Sequence, residues 1–234
     1  MQTTVKGYLF YPAFIMLALT IPALIICVAV NIYSGSVDLY TGGFAKYRIS
    51  AVTGISNQQL KDVARIMVDY WDGKVQSPQV EVDIKGMERP IYSQKELIHL
   101  EDVRKIIDMF KILEMLSIIV FLVTGLYIFF KFGVSRLLKG LQAGAVVTVV
   151  FLGSVMLWAL IDFNSIFYFF HILSFSNDLW LLDPATDYLI MMFPAGFFFD
   201  SAILIVATII AVAILIWFVA YVMKRVLLRA EKSN

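Results

Sequence analysis

The chain has 234 residues, of which 60% are hydrophobic, 15% aromatic and only 16% charged, and its formal net charge is +1. Soluble domains carry about 25% charged residues, so this composition indicates a membrane protein, and the near-zero charge argues against a nucleic-acid partner. The single cysteine, Cys27, excludes an intrachain disulfide and a cysteine-rich metal site.

Four segments are apolar and long enough to cross a bilayer, which requires about 20 residues per helix. They are Leu9 to Tyr33, Met109 to Phe130, Leu141 to Ile161 and Ser201 to Met223. The first segment is too long for the apolar core of a signal peptide and lacks a small-residue cleavage site, so we expect a retained anchor. The predicted fold is an all-α polytopic membrane protein with four transmembrane helices and a small extracytoplasmic α+β domain between the first and second.

The predicted domain organisation follows from these spans. Residues 1–33 form the N-terminal end and the first span, residues 34–108 form the extracytoplasmic domain, and residues 109–234 form three spans with an outer interfacial or re-entrant segment at about 162–200. Lysine and arginine cluster in the loop between the second and third spans and in the C-terminal tail, which favours the cytoplasm for both termini. These basic residues are Lys131, Arg136, Lys139, Lys224, Arg225, Arg229 and Lys232, and Lys6 lies near the N-terminus on the same predicted side.

Two local signals predict regular structure in the extracytoplasmic domain. Ser56 and Gln59 form a capping box, which predicts a helix that ends near Gly73. Further along, apolar and polar residues alternate on both sides of Lys85 and Gly86, which predicts a β-hairpin.

A second capping box, Ser93 with Glu96, predicts that one long helix begins near Gln94 above the membrane and continues into the second span. At about 100° per residue, His99 lies in the middle of the apolar face of this helix. Asp102 lies on the same face three residues later, where its carboxylate can accept a hydrogen bond from one imidazole nitrogen. We therefore expect a packed His99 with Asp102 as its orienting group.

The second histidine, His171, lies in an aromatic segment between the third and fourth spans, which polar residues and prolines interrupt too often for a span. Aromatic residues of this kind are typical of membrane interfaces. Asp178 follows His171 by seven residues and would share one face of a helix with it. Asp183 precedes Pro184, which predicts a helix start at that point. We expect both histidines at the outer boundary of the membrane, each near a carboxylate.

Structural roles are the alternative for each of these residues. An interfacial histidine often only packs, Asp102 can be a first-turn acid favoured by the helix dipole, and Asp183 can be a helix cap. Cys27 is better explained as a small buried hydrophobe than as a nucleophile. Two histidines and an aspartate on separate segments are a weak signal for zinc, so we expect no metal and no cofactor.

Three sequence blocks occur in a distinctive order: HLEDVRK at 99–105, FHILSFSND at 170–178 and DPATDYLIMMFPAGFFFD at 183–200. In these blocks the chain resembles a bacterial family of four-span membrane proteins, the lipoprotein intramolecular transacylases. The resemblance covers nearly the whole chain, from the anchor to the basic tail. It implies an enzyme that moves the sn-2 acyl chain of a diacylglyceryl lipoprotein to the α-amino group of that lipoprotein's N-terminal cysteine. It also implies that the two family histidines are His99 and His171.

The implied reaction suits these residue types, because the substrate brings its own amine nucleophile and the enzyme needs none. An imidazole can take and return a proton near neutral pH, and a second donor can stabilise the oxyanion. We expect His99 and His171 to be catalytic, with His171 as the base, and Asp102, Asp178 and Asp183 to support them.

The expected partners are diacylated lipoproteins and membrane lipid, in a bacterial cell membrane, with the active site facing the outer leaflet. A non-catalytic assembly partner or sensor that acts through the extracytoplasmic domain is the alternative. A transporter is disfavoured, because the third and fourth spans carry no ionisable residue at mid-membrane.

Overall fold

A computed structural model describes the backbone of residues 2–84 and 86–233, and the side chains of residues 10–84 and 86–230. Within these ranges the chain forms nine α-helices and one antiparallel two-stranded sheet. In chain order the elements are α1 (Gln2–Ser34), α2 (Val37–Lys46), α3 (Ile49–Thr53), α4 (Asn57–Trp71), β1 (Glu81–Ile84), β2 (Met87–Pro90), α5 (Gln94–Phe132), α6 (Val134–Ile161), α7 (Phe163–Ser174), α8 (Tyr188–Met192) and α9 (Ala195–Ser233).

Contacts divide the chain into two compact units. The first unit comprises Met1–Ala29, Lys111–Leu157 and Ile205–Asn234, and the second comprises Val30–Phe110 and Trp158–Leu204. The second unit therefore joins the segment after the first span to the segment between the third and fourth spans. Both histidines of the chain lie in this second unit.

Four helices, α1, α5, α6 and α9, contain apolar windows long enough to cross a bilayer, which confirms the four predicted spans. Helix α5 begins at Gln94, as the capping box predicts, and has 39 residues. At 1.5 Å per residue it is about 58 Å long, whereas the hydrocarbon core of a bilayer is about 30 Å thick. The helix is therefore longer than a single crossing requires, and its charged residues are concentrated in its first part, up to Asp108.

In the first unit, α1 and α6 pack closely because two glycines of α6 leave no side chain at the contact. A Cβ atom at Gly144 would lie 2.4 Å from Cδ1 of Ile21, and one at Gly140 would lie 2.7 Å from Cδ2 of Leu17. This spacing of two small residues lets helix backbones approach each other in membranes. Thr148 is fully buried one turn later, and its hydroxyl donates to the Gly144 carbonyl over 2.8 Å.

The second unit has a hydrophobic core of its own, with side chains from α2, α3, α4, β1, α5, α8 and the start of α9. Members of this core include Phe44, Ile49, Leu60, Met67, Trp71, Val82, Tyr92, Leu100, Met192 and Phe197. Aromatic rings supply much of the buried area, which is why a unit of this size packs around one core. The core holds the first turns of α5 and all of α8 in fixed positions.

Both local predictions for this unit are confirmed. Helix α4 begins with the capping box, in which the Ser56 hydroxyl accepts from the Gln59 N–H and the Gln59 side chain accepts from the Ser56 N–H. The hairpin is formed by β1 and β2, with Ile84 paired to Met87 at the turn. Lys85, predicted to form that turn, lies outside the described residues.

Between α6 and α9 the chain forms α7, a loop at 175–187, and α8. Helix α7 ends at Ser174, because Phe175 adopts an extended conformation with φ −123° and ψ 135°. The prediction that His171 and Asp178 share a helix face is therefore wrong, since Asp178 lies in the loop.

The prediction that a helix starts at Asp183 and Pro184 is also wrong. The Asp183 carboxylate accepts from the Ala185 N–H over 2.9 Å, and its carbonyl accepts from the Asp187 N–H over 2.8 Å. These bonds close a turn around the aspartate, which is a common competitor of helix initiation. Helix α8 starts later, at Tyr188, with Asp187 as the N-cap residue.

Candidate active site

Two histidines from different helices face each other in the second unit. His99 lies in the second turn of α5, and His171 lies in the last turn of α7. Their ring centroids are 6.3 Å apart, and the ring planes are 28° from parallel. Only 7% of His99 and 8% of His171 is exposed. The structure thus brings the two predicted catalytic residues together as one buried pair.

The tautomer of His171 follows from its hydrogen bond. Its Nδ1 lies 2.7 Å from the backbone carbonyl oxygen of Phe167, one turn earlier in α7. Because a carbonyl oxygen only accepts, Nδ1 carries the hydrogen, and Nε2 of the neutral ring keeps a free lone pair. Burial lowers the pKa of His171, and the Phe167 carbonyl opposes this effect only in part. The ring is therefore neutral at pH 7, with Nε2 able to take a proton.

His99 has a buried nitrogen without a protein partner. Within the described part of the chain, no group forms a hydrogen bond to its Nδ1. The ring packs edge-on against Phe175, with the centroids 5.0 Å apart. Buried polar atoms in proteins are nearly always paired. A buried nitrogen without a partner, beside a second imidazole, is therefore an exception of the kind that a catalytic role explains.

Aromatic rings shield the pair from water. The rings around His171, with the distances between centroids, are Phe167 at 4.4 Å, Trp180 at 4.8 Å, Phe170 at 5.4 Å and Phe175 at 5.6 Å. Phe198 of α9 packs on Phe167 at 5.0 Å and supports the turn that holds His171. Hydrogen bonds and charges act more strongly in such apolar surroundings than in water.

The hydrogen-bond partners of the Asp102 carboxylate differ from the predicted one, the imidazole of His99. Its Oδ2 accepts from the Asn177 amide over 2.8 Å, and its Oδ1 accepts from the Lys105 ammonium over 3.0 Å. Among the described residues, Nδ1 of His99 has no hydrogen-bond partner, so the hydrogen bond predicted from one imidazole nitrogen to Asp102 is not made by that nitrogen. Asp102 instead fixes the loop after α7 to the face of α5 that carries His99.

The other two carboxylates predicted to support the site lie elsewhere in the loop. Asp178 is exposed, and the orienting contact expected of it on His171 is made by the Phe167 carbonyl. Asp183 is exposed and closes the turn before α8. Their support of catalysis stays a prediction.

A cavity of 240 Å³ lies beside the histidine pair, between α5 and the end of α7. It is lined by Asp102, Lys105, Ile106, Met109, Ser174, Phe175, Ser176 and Asn177. Phe175 lines this cavity and also packs against the His99 ring, so it joins the cavity to the histidine pair. Among the described residues, no group of three or more histidine, cysteine, aspartate or glutamate side chains is arranged to hold a metal ion.

Glu96 fixes the turn of α5 that precedes His99. It is 1% exposed. Its Oε2 accepts from the Ser93 N–H over 2.7 Å, and its Oε1 accepts from the Leu189 N–H over 2.6 Å. The carboxylate thus joins the first turn of α5 to the first turn of α8. The capping box predicts the hydrogen bond with Ser93. The hydrogen bond with Leu189 joins residues 93 positions apart, and no local pattern predicts it.

Three further residues of the site were not predicted from the sequence: Phe175, Asn177 and Trp180. Phe175 and Asn177 belong to the block FHILSFSND, and this was the only indication in the sequence that they belong to the site. The sequence indicated only that Trp180 is an aromatic residue typical of a membrane interface, and not that it belongs to the site. The contacts of these residues with α5 and α7 depend on how the loop at 175–187 folds back, which a single sequence does not specify.

Comparison with protein families matches residues 14–198 to the model for lipoprotein intramolecular transacylase Lit. The match covers most of the chain and includes both histidines. Comparison with curated protein sequences gives no match.

Solved structures with the same fold are those of the membrane integral lipoprotein intramolecular transacylase Lit from Bacillus cereus. One is 23% identical, covers 97% of this chain and 100% of its own, and gives a TM-score of 0.79. Another, in which one histidine is replaced by alanine, is 22% identical over 100% of both chains, with a TM-score of 0.78. A third, with arginine in place of that histidine, is 22% identical over 99% of this chain and 97% of its own, with a TM-score of 0.77.

Proposed function

The chain belongs to the lipoprotein intramolecular transacylase family and is a membrane enzyme of that class, and from that premise we propose the reaction that its histidine pair performs. The enzyme moves the sn-2 acyl chain of a diacylglyceryl lipoprotein to the α-amino group of the lipoprotein's N-terminal cysteine. An amide C–N bond forms and an ester C–O bond breaks. The proton that leaves the amine is delivered to the departing glyceryl oxygen, so nothing is consumed from outside.

The observation that carries this proposal is the buried pair of imidazoles, 6.3 Å apart, with one tautomer set by the backbone. His171 is the general base: its free Nε2 takes the proton from the amine as the amine attacks, and returns it to the glyceryl oxygen. An α-amino group has a pKa of about 7.7–8.0, so a neutral imidazole is a base of suitable strength.

His99 stabilises the oxyanion of the tetrahedral intermediate. A neutral imidazole has one N–H to donate, and in the part of the chain that the structure describes no group competes for Nδ1 of His99. A donor held in place before the reaction stabilises the developing charge without reorganisation. The aromatic rings around the pair exclude water, so the acyl group is transferred to the amine rather than hydrolysed.

The remaining assignments follow from the membrane setting. Both termini lie in the cytoplasm, because basic residues lie near each of them and Lys131, Arg136 and Lys139 flank the turn between α5 and α6. Residues 34–108 form the extracytoplasmic domain, and the histidine pair faces the outer leaflet, where the acyl chains and the head of a lipoprotein meet it. Diacylated lipoproteins and membrane lipid are the partners. A non-catalytic assembly role does not fit a member of an enzyme family.

The test of the reaction uses the purified protein in lipid vesicles with a synthetic diacylglyceryl-cysteinyl peptide. Transfer within one molecule leaves its mass unchanged, so the product is detected by mild alkaline hydrolysis followed by mass spectrometry. One chain should survive as an amide on the cysteine nitrogen, whereas both ester chains of the substrate are released. Absence of the alkali-stable chain, or release of free fatty acid by the enzyme, would refute the proposal.

The pH dependence of kcat should report the lowered pKa of His171. A general base must be neutral, so activity is lost as pH falls through the pKa of that imidazole. The α-amine of the substrate, with a pKa of about 7.7–8.0, gives a first acid limb. Burial lowers the pKa of His171 below its usual 6.5, so a second limb, from that imidazole, should appear only below pH 6.5. The measurement is kcat between about pH 5 and 8. A second acid limb at or above pH 6.5, beyond the one that the substrate amine gives, would contradict the assignment of His171 as base.

A further inference from the structure

The cavity beside the histidine pair is polar at one end and apolar at the other. On α5, the residues His99, Asp102, Ile106 and Met109 recur at helical spacing and lie along one stripe. The cavity begins at Asp102 and Asn177 and reaches Ile106 and Met109. Its polar end is therefore the end close to His99, where the reacting groups of an amphiphilic substrate would lie.

Asp102 already binds an ammonium group at this polar end. The Asn177 amide holds Oδ2 at 2.8 Å, which leaves Oδ1 to accept from the ammonium of Lys105 at 3.0 Å. Asn177 thus fixes the orientation of the carboxylate, and Oδ1 is presented to a cation. The side chain of Asp102 is 18% exposed, so a group that enters the cavity can reach it.

The ammonium of Lys105 can be displaced easily. The Lys105 side chain is 64% exposed, and it also contacts the Glu101 carboxylate at 3.2 Å. An exposed ion pair within one helix contributes little to stability. A cation that takes the place of Lys105 on Asp102 therefore leaves Lys105 still paired with Glu101.

We propose that Oδ1 of Asp102 binds the α-ammonium group of the substrate, in the place that Lys105 occupies in the free enzyme. The inference rests on the proposed function and adds the subsite for the acceptor amine. Asp102 is one turn from His99 on the same face of α5, and His99 lies 6.3 Å from His171. An ammonium on Asp102 therefore enters one helical turn from His99. It releases its extra proton to water, and the neutral amine that results is the nucleophile whose next proton His171 takes.

The test measures binding without turnover. The probe is a lipopeptide whose two chains are attached through ethers, so neither chain can be transferred, and it is prepared with a free α-amine and with an acetylated one. In vesicles, Asp102→Asn should weaken binding of the free-amine probe about tenfold, the effect of losing one charge-assisted hydrogen bond. Binding of the acetylated probe should be unchanged, which also shows that the variant is folded.

Two variants complete the design. Asp62→Asn, an equal charge change at an exposed position of α4, should leave both probes unaffected. Lys105→Met removes the competing ammonium and should tighten binding of the free-amine probe only. Equal weakening of both probes by Asp102→Asn, or no weakening, would overturn the inference. So would unchanged or weaker free-amine binding in Lys105→Met.

The result does not depend on the proposed reaction, because the ether probe cannot react. Suppose that the ester substrate yields no amide product, while Asp102→Asn weakens binding of the free-amine probe and not of the acetylated probe. The amine subsite is then supported and the proposed reaction is refuted. If the amide forms but Asp102→Asn affects binding of both probes equally, the proposed reaction is supported and the amine subsite is refuted.

Discussion

Replacing His171 with glutamine is expected to lower kcat about a thousandfold, the middle of the range for loss of a general base. Glutamine has a similar size and can still donate a hydrogen bond to the Phe167 carbonyl, so the aromatic surroundings should stay in place. It cannot take a proton at neutral pH. The amine then has to attack without a base. The measurement is single-turnover formation of the alkali-stable lipopeptide in vesicles.

The control for this variant is Tyr168→Phe on the same helix. Tyr168 is exposed and packs on Trp180, and phenylalanine keeps that ring contact while removing only the hydroxyl. Its kcat should match that of the unaltered enzyme. If His171→Gln retains a tenth or more of the activity while His99→Gln is inactive, the two histidines have exchanged roles in the proposed mechanism.

His99 offers a second comparison, because its proposed role needs a donor and not a base. Glutamine keeps an N–H that can reach toward an oxyanion, whereas alanine removes it. Loss of one oxyanion donor lowers kcat about 10²–10³-fold. His99→Ala should therefore lower kcat by that factor, and His99→Gln should lower it less. His171→Ala and His171→Gln should be equally inactive. This difference separates the two roles without any structure of a complex.

What a single sequence predicts here is set by how far apart the interacting residues lie. The capping boxes of α4 and α5 join residues three positions apart, and both were found where predicted. The helical period places His99 on the apolar face of α5, and it is buried. These predictions succeed because one turn of helix contains all the partners.

Other features needed information that the local pattern lacks. Helix α2 contains Gly42 and Gly43, which have poor helix propensity, and it was not predicted. Its glycine is explained only by the fold: a Cβ at Gly43 would lie 2.3 Å from the ring of Phe197, far along the chain. In the same way, Asp102 is close enough to His99 to suggest a pair, but Asn177 from the returning loop takes one of its oxygens.

The largest effect on stability is expected from Glu96→Ala. The substitution leaves the buried N–H of Leu189 without an acceptor, which costs about 1–3 kcal/mol. It also removes the acceptor of the Ser93 N–H, which costs less because Ser93 is exposed. Removal of a buried charge offsets part of that cost. We expect the free energy of unfolding to fall by about 2 kcal/mol. The measurement is denaturant unfolding in mixed micelles, followed by tryptophan fluorescence.

Two variants give this prediction its specificity. Glu96→Gln keeps one carbonyl oxygen that can accept from either N–H, so it should be destabilised less than Glu96→Ala. Glu101→Ala removes an exposed carboxylate from the same helix and should change stability little. Because Glu96 joins the turn before His99 to α8, its loss should also lower kcat in the folded protein. Equal stability of Glu96→Ala and Glu101→Ala would mean that the link between α5 and α8 does not hold the site together.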